Sequence, residues 1–148
     1  MADTMQFDLV SPERNLISVQ VREVRLPGTE GDLTAMPGHA PAIVNLRPGL
    51  VTLVTADKVE IEFAVTGGFV EISGESVTLL AERGYPRAEM SQAIFNEMME
   101  QAYRRLKTAR ERGTAGEEFV TSAVKLLGDM EALGTHIGLD PKQANFPD

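Results

Sequence analysis

The stretch Pro27-Gly28-Thr29-Glu30-Gly31-Asp32, followed closely by Met36-Pro37-Gly38-His39-Ala40-Pro41 and Arg47-Pro48-Gly49, decides how this chain folds. Its three Pro-Gly dipeptides predict three enforced reversals. Proline pre-sets φ at the second position of a turn, and glycine supplies the positive φ that follows. The runs between them, residues 33–36 and 43–46, are short and apolar, which is the pattern of tightly wound short strands. Glu30 and His39 fall at the tips, where a scaffold presents groups to a partner.

Working outward, residues 5–81 read as strands. Phe7, Leu9 and Ser11 alternate with Gln6, Asp8 and Val10. In residues 16–26 the apolar positions are Ile17, Val19 and Val21, then Val24 and Leu26, so the parity switches at Arg22-Glu23. Side chains alternate faces with period two, and a switch therefore predicts a bulge or a strand crossing between sheets. Val59, Ile61, Phe63 and Val65 alternate with Glu60, Glu62 and Ala64, which predicts one wet face, and Asp57-Lys58 turns the chain into a hairpin with residues 50–55. Thr66-Gly67-Gly68 and Gly74-Glu75 punctuate two further strands, residues 69–72 and 77–81. Many short strands with Gly/Pro punctuation indicate a sandwich or barrel.

The texture changes at Glu82, and Arg83-Gly84-Tyr85-Pro86 reads as a linker. Beyond it Met90, Ile94, Met98, Ala102 and Leu106 recur every fourth residue with Phe95 and Met99 beside them, the apolar stripe of a helix. Ser91 is its expected N-cap and Gly113 its stop. Thr114-Ala115-Gly116-Glu117 has the form of a capping box, and Phe119, Val120, Ala123, Val124, Leu127 and Met130 give the second helix its stripe. A short link predicts antiparallel packing. The expected organisation is α+β: an all-β sandwich domain over residues 1–85, a helical hairpin over residues 86–137 and a flexible tail over residues 138–148.

The chain has 148 residues and a formal net charge of −8, which argues against a nucleic-acid partner because phosphate contact needs clustered cations. With no cysteine there is no thiol or disulfide chemistry, and no apolar run approaches the ~20 residues of a membrane span. The opening Met1-Ala2-Asp3-Thr4 lacks the pattern of a signal or transit peptide, so an intracellular soluble protein is expected. Two separated histidines do not make a metal site, no nucleophile elbow is present, and no glycine-rich loop with a lysine offers a phosphate cradle. No catalytic, cofactor or metal residues are therefore assigned. His39 reads as a contact residue, an idle turn residue or a satisfied core histidine, and composition alone favours the two bland readings together. Glu30 is by default a solvated turn residue. Arg104, Arg105 and Arg110 form the basic end of the first helix, a solvated face by default and otherwise a contact for an acidic partner.

Six motifs follow in order: Val10-Ser11-Pro12-Glu13, Gly28-Thr29-Glu30-Gly31-Asp32, Pro37-Gly38-His39-Ala40-Pro41, Arg47-Pro48-Gly49, Gly67-Gly68-Phe69-Val70-Glu71 and Val77-Thr78-Leu79-Leu80-Ala81. Together they closely resemble the epsilon subunit of bacterial F-type ATP synthase, called delta in mitochondria. The likeness covers residues 5–82 by motif and the helical half by architecture. It implies a sandwich of about ten short strands followed by a helical hairpin. It implies a non-catalytic place in the central stalk, where the sandwich binds the gamma subunit and rests on the ring of c subunits, so that proton flow stays coupled to ATP synthesis. An exposed apolar sandwich face is then expected where gamma docks. Glu30 and His39, beside one another on neighbouring tips, match the family's contacts to the polar loops of the ring. The alpha and beta subunits are a further partner open to the C-terminal helices. The implied location is the cytoplasmic face of the bacterial inner membrane, peripheral and without insertion.

Two departures from the family bear on regulation. Members that bind ATP carry Ile/Leu-Asp-x-x-Arg-Ala at the start of the first helix. The Asp-x-x-Arg-Ala part falls here on Ser91-Gln92-Ala93-Ile94-Phe95, with serine for the acid and an apolar residue for the arginine. Phosphate charge then lacks its usual partner, and weak or no ATP binding is expected. The rival reading is a nucleotide-sensing module whose hairpin binds ATP; a small sandwich enzyme is a second rival. The second helix carries Glu117, Glu118, Asp129 and Glu131 against Lys125 alone, and like charge opposes docking on acidic lobes of catalytic subunits. Weak inhibition of ATP hydrolysis is expected.

Overall fold

The parity switch in the second strand is where the sandwich is made. A computed structural model describes residues 3–111 and 117–141. Strand β2 (Asn15–Gly28) pairs its first half with β1 (Met5–Val10), placing Phe7 against Val19 and Leu9 against Ile17. Its second half pairs with β3 (Gly31–Ala35) and with β5 (Gly49–Thr55), and the register with β5 slips between Val21 and Glu23. Arg22 is the extra residue. The slip keeps Val21, Val24 and Leu26 all buried although their parity differs.

Around β2 lie β4 (Ala42–Leu46), β6 (Glu60–Val65), β7 (Gly68–Ile72), β8 (Ser76–Ala81) and β9 (Gly84–Pro86). The hydrogen-bonded order is β1-β8-β7-β4-β2-β5-β6-β9, with β3 on β2 and β1 returning to β2. The nine strands among the described residues therefore fold back on one another and close a core around Phe7, Leu9, Leu53, Ile72 and Leu79. β1 runs parallel to β8, so Phe7 and Leu9 meet Val77 and Leu79 inside. The Asp57-Lys58 hairpin forms as expected, with Lys58 at φ 66° and its N–H donating to Thr55 C=O at 2.9 Å. Ala64, expected on a wet face, is instead fully buried.

The Pro-Gly pairs are less uniform than the sequence suggested. Among their three glycines only Gly38 has a positive φ, 87°. Pro27-Gly28 lies inside the end of β2, and a Cβ on Gly28 would strike Gly31 C=O at 2.6 Å. Gly49 opens β5 with its Cα against the Pro27 ring. These two glycines serve close approach of chains rather than a left-handed turn.

Arg83-Gly84-Tyr85-Pro86 is not a linker. Gly84, Tyr85 and Pro86 are β9, paired with Val65, Ala64 and Phe63 of β6. Proline is tolerated there because β9 is an edge strand. Arg83 Nη2 donates to Tyr85 Oη at 2.7 Å, and the Arg14 guanidinium lies 5.9 Å from the Tyr85 ring centroid. The next residues form a 3-10 turn, Arg87–Glu89, fastened by Arg87 to Glu62 at 2.7 Å and by Glu89 to Arg14 at 2.8 Å. The chain accordingly divides into two compact units, Met1–Glu89 and Met90–Asp148.

The second unit is α1 (Gln92–Glu111) and α2 (Glu117–His136). Ser91 caps α1: its Oγ accepts from Ile94 N–H at 3.2 Å. Phe95, Met98, Met99, Ala102 and Leu106 are buried, as the spacing predicts, and so are Ala123 and Met130 of α2, but Val124 is exposed. Phe95 near the start of α1 meets Gly134 near the end of α2, where a Cβ would collide with the ring. Ala109 near the end of α1 shares a cavity with Ser122 near the start of α2, so the pair is antiparallel. The expected stop at Gly113 and most of the capping box lie outside the described residues. Gly138, expected in a loose tail, closes α2 with φ 82°, and Leu139 N–H donates to Gly134 C=O at 2.8 Å. Gln92 then exchanges two hydrogen bonds with the Asp140 backbone, at 2.7 and 2.9 Å. Residues 142–148 of the expected tail lie outside the described residues.

Candidate contact surfaces

Glu30 sits in a two-residue turn between the paired residues Gly28 and Gly31. Gly31 takes φ 133°, which favours glycine. Thr29 N–H donates to Asn45 C=O at 2.9 Å, and the Arg47 guanidinium bonds both Gly28 C=O and the Asp32 carboxylate. Glu30 itself is exposed and makes no hydrogen bond or ion pair among the described residues.

His39 closes a second turn, its N–H donating to Met36 C=O at 3.0 Å with Pro37 and Gly38 between. Gly38 N–H is anchored to Gly74 C=O at 2.9 Å, which ties this turn to the β7–β8 connection. His39 Nδ1 lies 2.6 Å from Ala40 C=O, a bond in which the ring nitrogen donates. The two turns lie at the two ends of β3, which spans about 14 Å at roughly 3.4 Å per residue.

Five large apolar side chains of the sandwich unit are exposed among the described residues, Met36, Ile43 (74%), Val59, Phe69 (42%) and Leu80 (41%), and three of them, Ile43, Phe69 and Leu80, stand on adjacent strands. Register brings these three together: Phe69 is opposite Leu80 on β8 and Asn45 on β4, two residues from Ile43. Val10 continues the row beside Leu80. Sequence reading expected an apolar outer face but named none of these residues. The signal was there in adjacent apolar pairs, Phe69-Val70 and Leu79-Leu80, since a half-buried strand needs only every second residue apolar. Next to this strip β1 and β2 carry a polar ladder. Gln20 Nε2 donates to Gln6 Oε1 at 2.7 Å, and Gln6 Nε2 donates to Ser18 Oγ at 2.8 Å.

In the helical unit Arg104 and Arg105 line a cavity of about 470 Å³ with Thr108, Ala109, Ser122, Ala123 and Leu126; Arg110 is not among its lining residues. All three arginines are exposed. Ser91 is engaged as a helix cap, and Ile94 is half-buried. No group of three or more His, Asp or Glu residues that could hold a metal occurs among the described residues, nor any helix long and apolar enough to cross a membrane. What the arrangement offers is contact: two polar tips and an apolar strip on a rigid sandwich.

A sandwich of this kind followed by a helical pair is the ATP synthase delta/epsilon class of protein. The delta/epsilon chain β-sandwich domain family matches residues 4–87. The ATP synthase epsilon chain of Paracoccus denitrificans (strain Pd 1222) is 79% identical over 147 residues, covering 99% of each chain. That of Rhodobacter capsulatus is 59% identical over 139 residues, covering 94% of this chain and all of the relative. In fold, a chain from the OSCP/F1/c-ring structure of the Euglena gracilis mitochondrial ATP synthase superposes with a TM-score of 0.68 at 16% identity, over 93% of this chain and 83% of that one. The chain belongs to the ATP synthase epsilon chain family, a family of accessory subunits.

Proposed function

We propose that this chain is a non-catalytic rotor subunit of the proton-translocating F-type ATP synthase. It joins the gamma subunit to the c-ring, so that proton flow through the ring remains coupled to ATP synthesis on other subunits. It works at the cytoplasmic face of the bacterial inner membrane, held there by the complex. The sandwich domain carries the rotor contacts. The helical pair is regulatory and inhibits hydrolysis weakly, with Arg104, Arg105 and Arg110 meeting acidic surfaces of the alpha and beta subunits. Glu30 and His39 meet the polar loops of the ring as two separate points of contact.

The observation that carries the reading is the strip of Ile43, Phe69 and Leu80. Exposed apolar side chains grouped on one rigid sheet face stabilise association when a partner covers them. We assign this strip to gamma. Substituting Phe69→Asp or Leu80→Asp tests it, because both side chains project from the outer face and their loss leaves the core intact. Affinity for purified gamma falls at least about tenfold with an unchanged melting temperature. Unaltered affinity in both variants overturns the assignment.

A further inference from the structure

We infer that Arg47 is the positioning residue of the Glu30 tip. The inference rests on the proposed contact role of Glu30 and adds the device that holds it.

Arg47 reaches the tip from the connection between β4 and β5, at three points. Its backbone N–H donates to Pro27 C=O at 3.0 Å, and its guanidinium bonds Gly28 C=O and the Asp32 carboxylate. Those three acceptors lie on both arms of the turn, before and after Thr29-Glu30. A planar guanidinium with donors in a fixed fork can hold two acceptors at once, which an ammonium on a flexible stem does poorly. Next to it Thr29 N–H bonds Asn45 C=O, and Gly49 is pressed on the Pro27 ring with no room for a Cβ. The turn is thus bracketed by residues 45–49 of a different hairpin arm. Asp32 is occupied in this bracket, whereas Glu30 at the apex has no partner among the described residues. The arrangement commits one acid to structure and leaves the other to project. Arg47 is only partly exposed, at 28%, while Asp32 is 78% exposed, so the guanidinium is the fixed element and the carboxylate closes over it.

The test uses the full-length chain and the assembled complex. Arg47→Ala is expected to speed exchange of the Thr29 amide, which donates to Asn45 C=O, at least about tenfold, the factor that follows from losing the two guanidinium hydrogen bonds to Gly28 C=O and Asp32, with exchange in β1 and β8 unchanged. Arg47→Lys restores part of the protection. In the complex, a cysteine placed by Glu30→Cys cross-links to the ring's loops, and Arg47→Ala lowers the yield several-fold at equal incorporation. Unchanged tip exchange in Arg47→Ala, or equal cross-linking in both backgrounds, overturns the inference. Absence of any cross-link from Glu30→Cys, with tip exchange still accelerated, instead removes the ring contact of Glu30 and leaves Arg47 as the clamp of the turn.

Discussion

Single side chains in this chain hold geometry more often than they hold ligands. Ser91 is the clearest case. Its hydroxyl accepts the Ile94 N–H at 3.2 Å and satisfies one of the orphan donors at the start of α1. Ser91→Ala removes that acceptor and is expected to lower the stability of the helical unit by about 1 kcal/mol, read as a shift in its urea midpoint at unchanged m-value. Ser91→Asp retains the cap and leaves the midpoint near that of the native chain. Phe95 and Gly134 act in the same way, the ring occupying the space that any Cβ at Gly134 would need. The helix start was legible from sequence, because a capping serine before an apolar stripe has a local cause. The partner of Phe95 was not, because it lies on the other helix.

Among elements, β9 is the one whose loss separates two readings of the same residues. As a linker, residues 83–86 would be dispensable to the sandwich. As a strand they cover the β6 edge, with Gly84 buried against Leu16 and Tyr85 held by Arg83. A chain truncated after residue 89 is expected to fold as the complete sandwich. One truncated after residue 82 is less stable by roughly 2–3 kcal/mol, through lost ladder hydrogen bonds and uncovered apolar area. Equal denaturation midpoints for the two fragments would show β9 to be passive. A three-residue strand with glycine and proline carries no period-two signal, so its pairing is visible only once β6 is in place. By contrast the β2 bulge was readable, since a break in parity is written in consecutive residues. The contact surfaces divide along the same line. The tips announce themselves by turn chemistry, but the strip of Ile43, Phe69 and Leu80 depends on register between strands far apart in sequence.

At the scale of the whole molecule, the two units carry different kinds of charge. The sandwich spends much of its charge on internal pairs, such as Arg47 with Asp32 and Arg87 with Glu62. The helical unit has exposed cations late in α1, yet α2 opposes them with Asp129 and Glu131, and Lys125 is already paired to Asp129 at 3.6 Å. A helical arm that inhibits hydrolysis by lying against acidic lobes needs its cations unopposed, because like charge across an interface slows encounter and costs affinity. The acids of α2 work against that docking, and the cations of α1 alone supply the attraction. Removing residues 90–148 is therefore expected to leave the ATP hydrolysis rate of the assembled complex within about twofold of the intact value, since the arm contributes little differential binding to any stalled state. A rise of several-fold on removal would mean that the arginines of α1 outweigh the acids of α2. Charge reversal then locates the cause: if Arg104→Glu with Arg105→Glu reproduces the rise, the attraction resides in that pair, and if it does not, the inhibition comes from elsewhere in the arm.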